Sequence, residues 1–425
     1  MASTNTTCRG ILCGANRRAQ NRRIESAVIG LVTALGVTRE DSWRRMLAGA
    51  CGIGPVTLFD TSGYRSRIAA EVDITALDRA FSPHERRRNG RGDRIGLAAA
   101  AEAVEDAGLL SSPLDRARVG VFLGSGTGDL LRNEVFYRTW LSAGIERTRR
   151  SDTWNHFTST PVDAIAARFG FEGPRACIVA ACASSTIAIG RAVEALRSGR
   201  ADVALAGGTD ALSRLTFTGF NLLRLMDPEP CRPFDRGRVG MNIGEGAGIL
   251  VIEDLEHARR RSAPIYAELA GHALVCEAFH PTAPEPEGTP VATLVRMALD
   301  DARVDPGEVD HVNAHGTATP QNDAAEARGF HRVFGARASR LPLTSIKSMI
   351  GHCLGASGAV EAAVTALTVA RGVIPPTIHH QQTDEACAVD VVANEARDVP
   401  VRCAVSTSLG FGGNDAAIVL RAFAG

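Results

Sequence analysis

From Ile24 to Gly36 the chain turns apolar with glycine punctuation, a pattern that predicts a first core strand and its turn. Residues 1 to 21 before it carry Arg17 and Arg18 among small polar residues, show no period and read as a tail. Helical spacing from Leu97 to Ala107 predicts a helix that stops at Gly108. Residues 177–181 read as a short buried strand followed at once by a second helix. Its apolar positions Ile189, Ala192, Val193 and Leu196 keep helical spacing, and Gly199 ends it. A strand at 203–206 is predicted to close at Gly207 and Gly208. Residues 309–314 form another predicted strand, and a Gly-Thr loop leads to a helix opening at Asp323. There Asp323 and Glu326 have the N-cap and N3 spacing of a capping box. A last Ala- and Gly-rich helix is expected over 353–371. Strands alternating with helices indicate an α/β sheet with both faces covered.

The pattern also repeats itself. Gly244-Glu245-Gly246-Ala247-Gly248 feeds an apolar strand ending at Ile252, and Gly410-Phe411-Gly412-Gly413-Asn414-Asp415 feeds another ending at Leu420. The echo suggests two similar halves, here placed at 22–255 and 256–425. Neither glycine turn is a phosphate or dinucleotide loop, because each runs into a strand rather than a helix. No ATP or NAD site is expected.

Composition narrows the class. Of 425 residues 45% are hydrophobic and 22% charged, as in an ordinary folded chain. Basic and acidic residues balance at 47 each and aromatics reach only 5%, which argues against a nucleic-acid binder. The polar start of the chain has no signal-peptide core, and no apolar run approaches the roughly 18 residues of a membrane span. Ten cysteines are scattered without a C-x-x-C pair, so a reducing, cytoplasmic setting is expected and a structural zinc site is not. One residue count is unusual. All 47 basic residues but one are arginine, the exception being Lys347. Either it is a chance survivor, or its site needs a compact ammonium that a planar guanidinium cannot replace.

Four residues stand out chemically. Cys182, in Ala181-Cys182-Ala183-Ser184-Ser185, falls between a strand and a helix, where unpaired N–H groups and the positive helix end favour thiolate. His315 follows a strand in Asn313-Ala314-His315-Gly316-Thr317-Ala318-Thr319-Pro320, at the end that faces the ligand crevice in open α/β folds. His352 lies five residues after Lys347, in Gly351-His352. No histidine pair has zincin spacing, and no metal is expected. The basic cluster from His84 to Arg91 reads as a solvated face or as a docking patch.

Taken in order, these segments, with Pro233-Phe234-Asp235 and Lys347-Ser348, resemble the type II β-ketoacyl-acyl-carrier-protein synthases, including the ketosynthase-α subunits of bacterial aromatic polyketide systems. The resemblance covers roughly residues 22 to 422. It implies a thiolase fold, two pseudo-symmetric α/β halves in a five-layer αβαβα arrangement. It implies decarboxylative Claisen condensation, with Cys182 as the acyl-accepting nucleophile, and His315 and His352 promoting malonyl decarboxylation. Lys347 would order the histidines, and the N–H groups of Cys182 and Phe411 would form the oxyanion hole, with Phe411 as a gate. Glu326, Gly412 and Gly413 would support the site, with the capping-box reading of Glu326 equally open. Thr317 and Thr319 would bind pantetheine, and Arg86, Arg87 and Arg88 would dock the carrier protein. No cofactor is implied beyond the carrier's phosphopantetheine. The partners implied are an acyl carrier protein and either a second copy or a ketosynthase-like chain length factor. A chain-length-factor-like subunit without condensing activity, a thiolase using acyl-CoA, and a thiolase-fold acyltransferase or decarboxylase are the alternatives. The chain departs from the family pattern at Ala180, Cys353, Asn414 and Asp415 and in its first strand, which leaves the catalytic set intact and bears on pocket shape and substrate.

Overall fold

A computed structural model describes residues 24–423 except 112, 150–152 and 154–155; the predicted tail, 1–21, lies outside the described residues. The expected first strand is β1 (Ile24–Val32), and its turn closes with reciprocal backbone hydrogen bonds between Thr33 and Gly36. Strands β2 (Val119–Gly124), β3 (Arg175–Ile178), β4 (Val203–Asp210) and β5 (Gly246–Asp254) complete one set. The second set is β6 (Ala267–Cys276), β7 (His311–Asn313), β8 (Pro342–Thr344), β9 (Cys403–Gly410) and β10 (Asn414–Arg421).

The two sets share one topology. The first runs β1-β5-β4-β2-β3 and the second β6-β10-β9-β7-β8, so each orders its strands first, fifth, fourth, second, third. Directions match as well: the fifth strand is antiparallel to both neighbours, and the others pair parallel. The two glycine turns that echo each other in the sequence feed β5 and β10, equivalent strands of the two sets. The sets meet where β1 and β6 pair through Glu25 with Glu268 and Ser26 with Ala267.

Helices complete the layers. α1 (Arg91–Asp106) lies on one outer face, and α3 (Thr289–Ala302) and α4 (Pro320–Phe334) on the other. Between the sheets lie α2 (Ser184–Arg197) and α5 (Ser357–Arg371), which occupy equivalent places before the fourth strand of each set. Every residue of α5 from Ser357 to Val369 is buried, as a helix enclosed on all sides must be. Its small side chains permit this. A Cβ on Gly358 would fall 1.9 Å from Thr186 Oγ1 of α2, so the two central helices cross at a distance only glycine allows. The result is the five-layer thiolase fold expected from the resemblance. Among the described residues, no helix is long and apolar enough to cross a membrane.

Several boundaries differ from expectation for definable reasons. β4 continues through Gly207 and Gly208 to Asp210 instead of closing at them. A Cβ at Gly208 would lie 2.6 Å from Gly124 O and 2.7 Å from Ser185 Cβ, so this glycine serves close packing rather than a turn. α1 begins at Arg91, six residues before Leu97, with Asp93 Oδ2 accepting from Gly90 N at 2.9 Å. The strand expected at 177–181 spans Arg175–Ile178, and the one expected at 309–314 contracts to His311–Asn313. The helix expected from residue 353 opens as a 3-10 turn at Leu354–Ala356 before α5.

Candidate active site

Cys182 reaches the site through a strained elbow. Ala181 holds φ +47, a left-handed conformation that costs a non-glycine residue on the order of 1–3 kcal/mol. Ser184 locks it, its Oγ accepting from Ala180 N at 2.8 Å and donating to Ala181 O at 2.6 Å. The thiol is therefore lifted off the sheet at the entrance of α2, buried with 7% exposure.

The two histidines come from the other half. His315 follows β7, and His352 lies between Gly351, at φ +66, and the turn into α5. His352 Nε2 lies 3.0 Å from Cys182 Sγ. The imidazoles stand edge to face, centroids 5.3 Å apart and planes at 86°. The sulfur and one nitrogen from each ring all lie within 4.8 Å of one another. A thiol and two imidazoles that close would also suit a thiophilic cation, a convergence that linear spacing hides. Burial, aided by the nearby Lys347 charge, holds both imidazoles well below the usual histidine range, so both are neutral at neutral pH.

The sole lysine sits at the centre of this network. Lys347 Nζ donates to the His315 carbonyl at 2.6 Å, lies 3.4 Å from His315 Nδ1 and pairs with Glu361 of α5. Three donors on one compact atom meet three acceptors in different directions, which a planar guanidinium fork would not match. Chance survival is thereby set aside. Glu361 was not anticipated. It is a lone acid in the run Ser357-Gly358-Ala359-Val360-Glu361-Ala362-Ala363, and an acid inside an otherwise enclosed helix was the available signal. Burial pushes its carboxyl up to about 7 despite the ammonium beside it.

Glu326 does not form the expected capping box. The helix starts at Pro320 with Thr319 as N-cap, which moves Asp323 and Glu326 inside the helix. Asp323 instead accepts from Phe234 N and Ala318 N, at 2.8 and 3.1 Å. Glu326 accepts from His315 N at 2.8 Å, Gly316 N at 2.9 Å and Thr407 Oγ1 at 2.7 Å, anchoring the His315 loop from beneath. Burial pushes this carboxyl, too, up to about 7.

The expectation of a resting thiolate is also corrected. Burial pushes the Cys182 thiol up to about 11, outweighing the Lys347 charge and the Phe411 N–H that favour the anion. Cys182 precedes the N-cap of α2 instead of occupying its first turn, so the helix end does not offset the lost hydration.

A cleft of about 610 Å³, counting its open mouth, leads to these groups. Thr317 and Thr319 line it, their hydroxyls 3.0 Å apart, and Phe411 packs against Phe220 at 5.7 Å between centroids. Gly412 and Gly413 hold φ +81 and +75, carrying the Phe411 turn past the Glu277 segment; Gly412 N donates to Pro281 O and Glu277 N to Gly413 O. Asp415, behind this turn, is buried beside Glu277, and that burial with its acidic neighbour pushes the Asp415 carboxyl well above the usual range. Arg86, Arg87 and Arg88 lie elsewhere, exposed on the last turn of the short helix Pro83–Arg88, and none lines the cleft.

Comparison with known proteins places the chain as a whole. The Beta-ketoacyl synthase N-terminal domain matches residues 21–258, and the C-terminal domain of the same family matches 266–381. The chain is 36% identical over 411 residues to 3-oxoacyl-[acyl-carrier-protein] synthase 2 of Staphylococcus aureus (strain COL), covering 95% of this chain and 99% of that protein. It is 36% identical over 408 residues to the protein of the same name from Coxiella burnetii (strain RSA 493 / Nine Mile phase I), with 94% and 99% covered. Among solved structures, the ishigamide ketosynthase/chain length factor superposes with a TM-score of 0.90 at 35% identity, covering 95% of this chain and 100% of that one. The ketosynthase of the AntDE:AntF complex, a type II PKS acyl-carrier protein with its ketosynthase bound to the hexaketide, gives 0.88 at 31%, with the same coverage. The chain thus has relatives along nearly its whole length, and it belongs to the β-ketoacyl synthase family of acyl-transferring condensing enzymes.

Proposed function

We propose that this chain elongates an acyl group held on Cys182 with a malonyl unit, both delivered on the phosphopantetheine of an acyl carrier protein, in type II polyketide or fatty acid biosynthesis. In the first half-reaction the Cys182 sulfur attacks the acyl thioester, and the thiol proton ends on the departing carrier thiol. The N–H groups of Cys182 and Phe411 receive the oxyanion. In the second, malonyl loses carbon dioxide and leaves enolate charge on the thioester oxygen. Two preorganised, buried N–H donors stabilise that charge, and His315 and His352 are the side chains in position to supply them. The carbanion attacks the Cys182 thioester, forms the carbon–carbon bond and expels the thiolate.

The observation that carries this reading is the convergence of Cys182 Sγ with both imidazoles within 4.8 Å. A subunit that only shapes a tunnel has no use for it, which speaks against the chain-length-factor alternative. Thr317 and Thr319 would hold the pantetheine arm, and Arg86, Arg87 and Arg88 would attract the acidic carrier. A second ketosynthase-like subunit, identical or not, and a cytoplasmic location belong to the same proposal; one of the structural relatives is named as a ketosynthase/chain length factor. Intact-mass measurement after incubation with acyl-carrier protein tests the first step. The wild type should gain the mass of one acyl group and Cys182→Ala none; equal acylation of the variant would refute the assignment.

A further inference from the structure

The two imidazoles must offer the same atom, Nε2–H, to one developing oxyanion, and the structure shows how one of them is fixed. His315 Nδ1 faces Lys347 Nζ at 3.4 Å. An ammonium only donates, so Nδ1 keeps its lone pair and the ring hydrogen resides on Nε2. Among the described residues, no cation pairs with His352 at the corresponding nitrogen. Its Nδ1 lies 2.7 Å from Ser357 Oγ, the first residue of α5, and both residues are buried at 1% and 3% exposure.

We propose that Ser357 is a positioning residue that sets His352 as the Nε2–H tautomer, matching it to His315; the role in catalysis rests on the condensation reading above.

The argument turns on where the serine hydrogen goes. Among the described residues, His352 Nδ1 is the sole hydrogen-bond partner of Ser357 Oγ. If the hydroxyl accepted from Nδ1–H, its own hydrogen would be buried with no acceptor, a costly arrangement. If it donates to Nδ1, only oxygen lone pairs go unused, which is cheaper. The competing arrangement has Cys182 donate S–H to Nε2. It satisfies a weak thiol donor at the expense of a strong hydroxyl donor. Donation by Ser357 therefore prevails, and Nε2–H points at Cys182 Sγ, 3.0 Å away. That N–H steadies the sulfur anion as it forms, and turns to the enolate oxygen once the sulfur is acylated. The two histidines are thus set by different means, a lysine for one and a serine for the other. The serine arises from the turn Cys353-Leu354-Gly355-Ala356-Ser357, which returns the chain over the ring.

The test uses the full chain labelled with ¹⁵N-histidine, with His352 assigned by comparison with His352→Gln. Near pH 7.5 the His352 signals should show an unprotonated Nδ1 and a protonated Nε2; a protonated Nδ1 overturns the proposal. This result does not depend on any substrate, so it stands or falls apart from the condensation reading, which fails instead if the wild type releases no carbon dioxide from malonyl-carrier protein. In Ser357→Ala the Nδ1 resonance should shift through loss of its hydrogen bond. The kcat for malonyl decarboxylation should fall about three- to tenfold, the worth of one hydrogen bond, with KM unchanged. An unmoved Nδ1 resonance with unchanged kcat overturns it.

Discussion

Cys182 and Lys347 carry the account at the scale of single residues. With the thiol pushed up to about 11, its alkylation by iodoacetamide should climb about tenfold per pH unit from 7 to 10 without a plateau near neutrality, because only thiolate reacts. A plateau below pH 8 would mean a resting thiolate and contradict the dominance of burial. Lys347→Met removes the cation that favours the anion and should slow alkylation at pH 8 further. It also leaves Glu361 buried without its partner, at a cost of about 3–5 kcal/mol in denaturant unfolding. Lys347→Met/Glu361→Gln should recover most of that stability and none of the activity. These residues differ in how far the sequence announces them. Lys347 was visible as the exception in an arginine-only chain. Ser357 was not, since a serine opening a helix ordinarily reads as a start signal, and only the returning turn brings it over His352.

Elements decide how the thiol and imidazoles meet. Cys182 precedes α2 and His352 precedes α5, so the crossing of these helices sets the distance between them. Gly358→Val would drive a side chain into Thr186 Oγ1 and Ser408 Oγ, and should destabilise the fold by about 1–3 kcal/mol while slowing acylation of Cys182. Unfolding and intact-mass kinetics on the same preparation check both; full stability with normal acylation would show that the crossing tolerates separation. The alternation of strands and helices was legible because buried strands and helices keep their periods. Gly207 and Gly208 look like a turn in the sequence but serve close packing inside a continuing strand. Local spacing alone suggests a capping box at Asp323 and Glu326, but partners of both, Phe234 N and Thr407 Oγ1, lie far away in the chain.

For the whole molecule the duplication is the governing feature. Each half supplies one central helix, and the nucleophile comes from one half while both histidines come from the other. The echo between the glycine turns at 244–248 and 410–413 hinted at this, but the shared strand order emerges only in three dimensions. The exposed cluster Arg86-Arg87-Arg88, proposed above to attract the carrier, belongs to this scale too and does not line the cleft. Reversing it to glutamates should raise KM for carrier-bound substrates at low salt, leave kcat within about twofold, and leave turnover of small pantetheine thioesters unchanged. An equal loss with both substrate types would place the defect in the fold instead of in docking.

The most direct check is a single turnover. Enzyme carrying an acyl group on Cys182 is mixed with malonyl-carrier protein, and carbon dioxide, acyl-enzyme and product are followed together. One carbon dioxide should appear for each acyl group lost, with a β-ketoacyl-carrier product formed in step and none of this in His315→Ala. Loss of the acyl group by hydrolysis or transfer, with no matching carbon dioxide, would contradict the condensation mechanism.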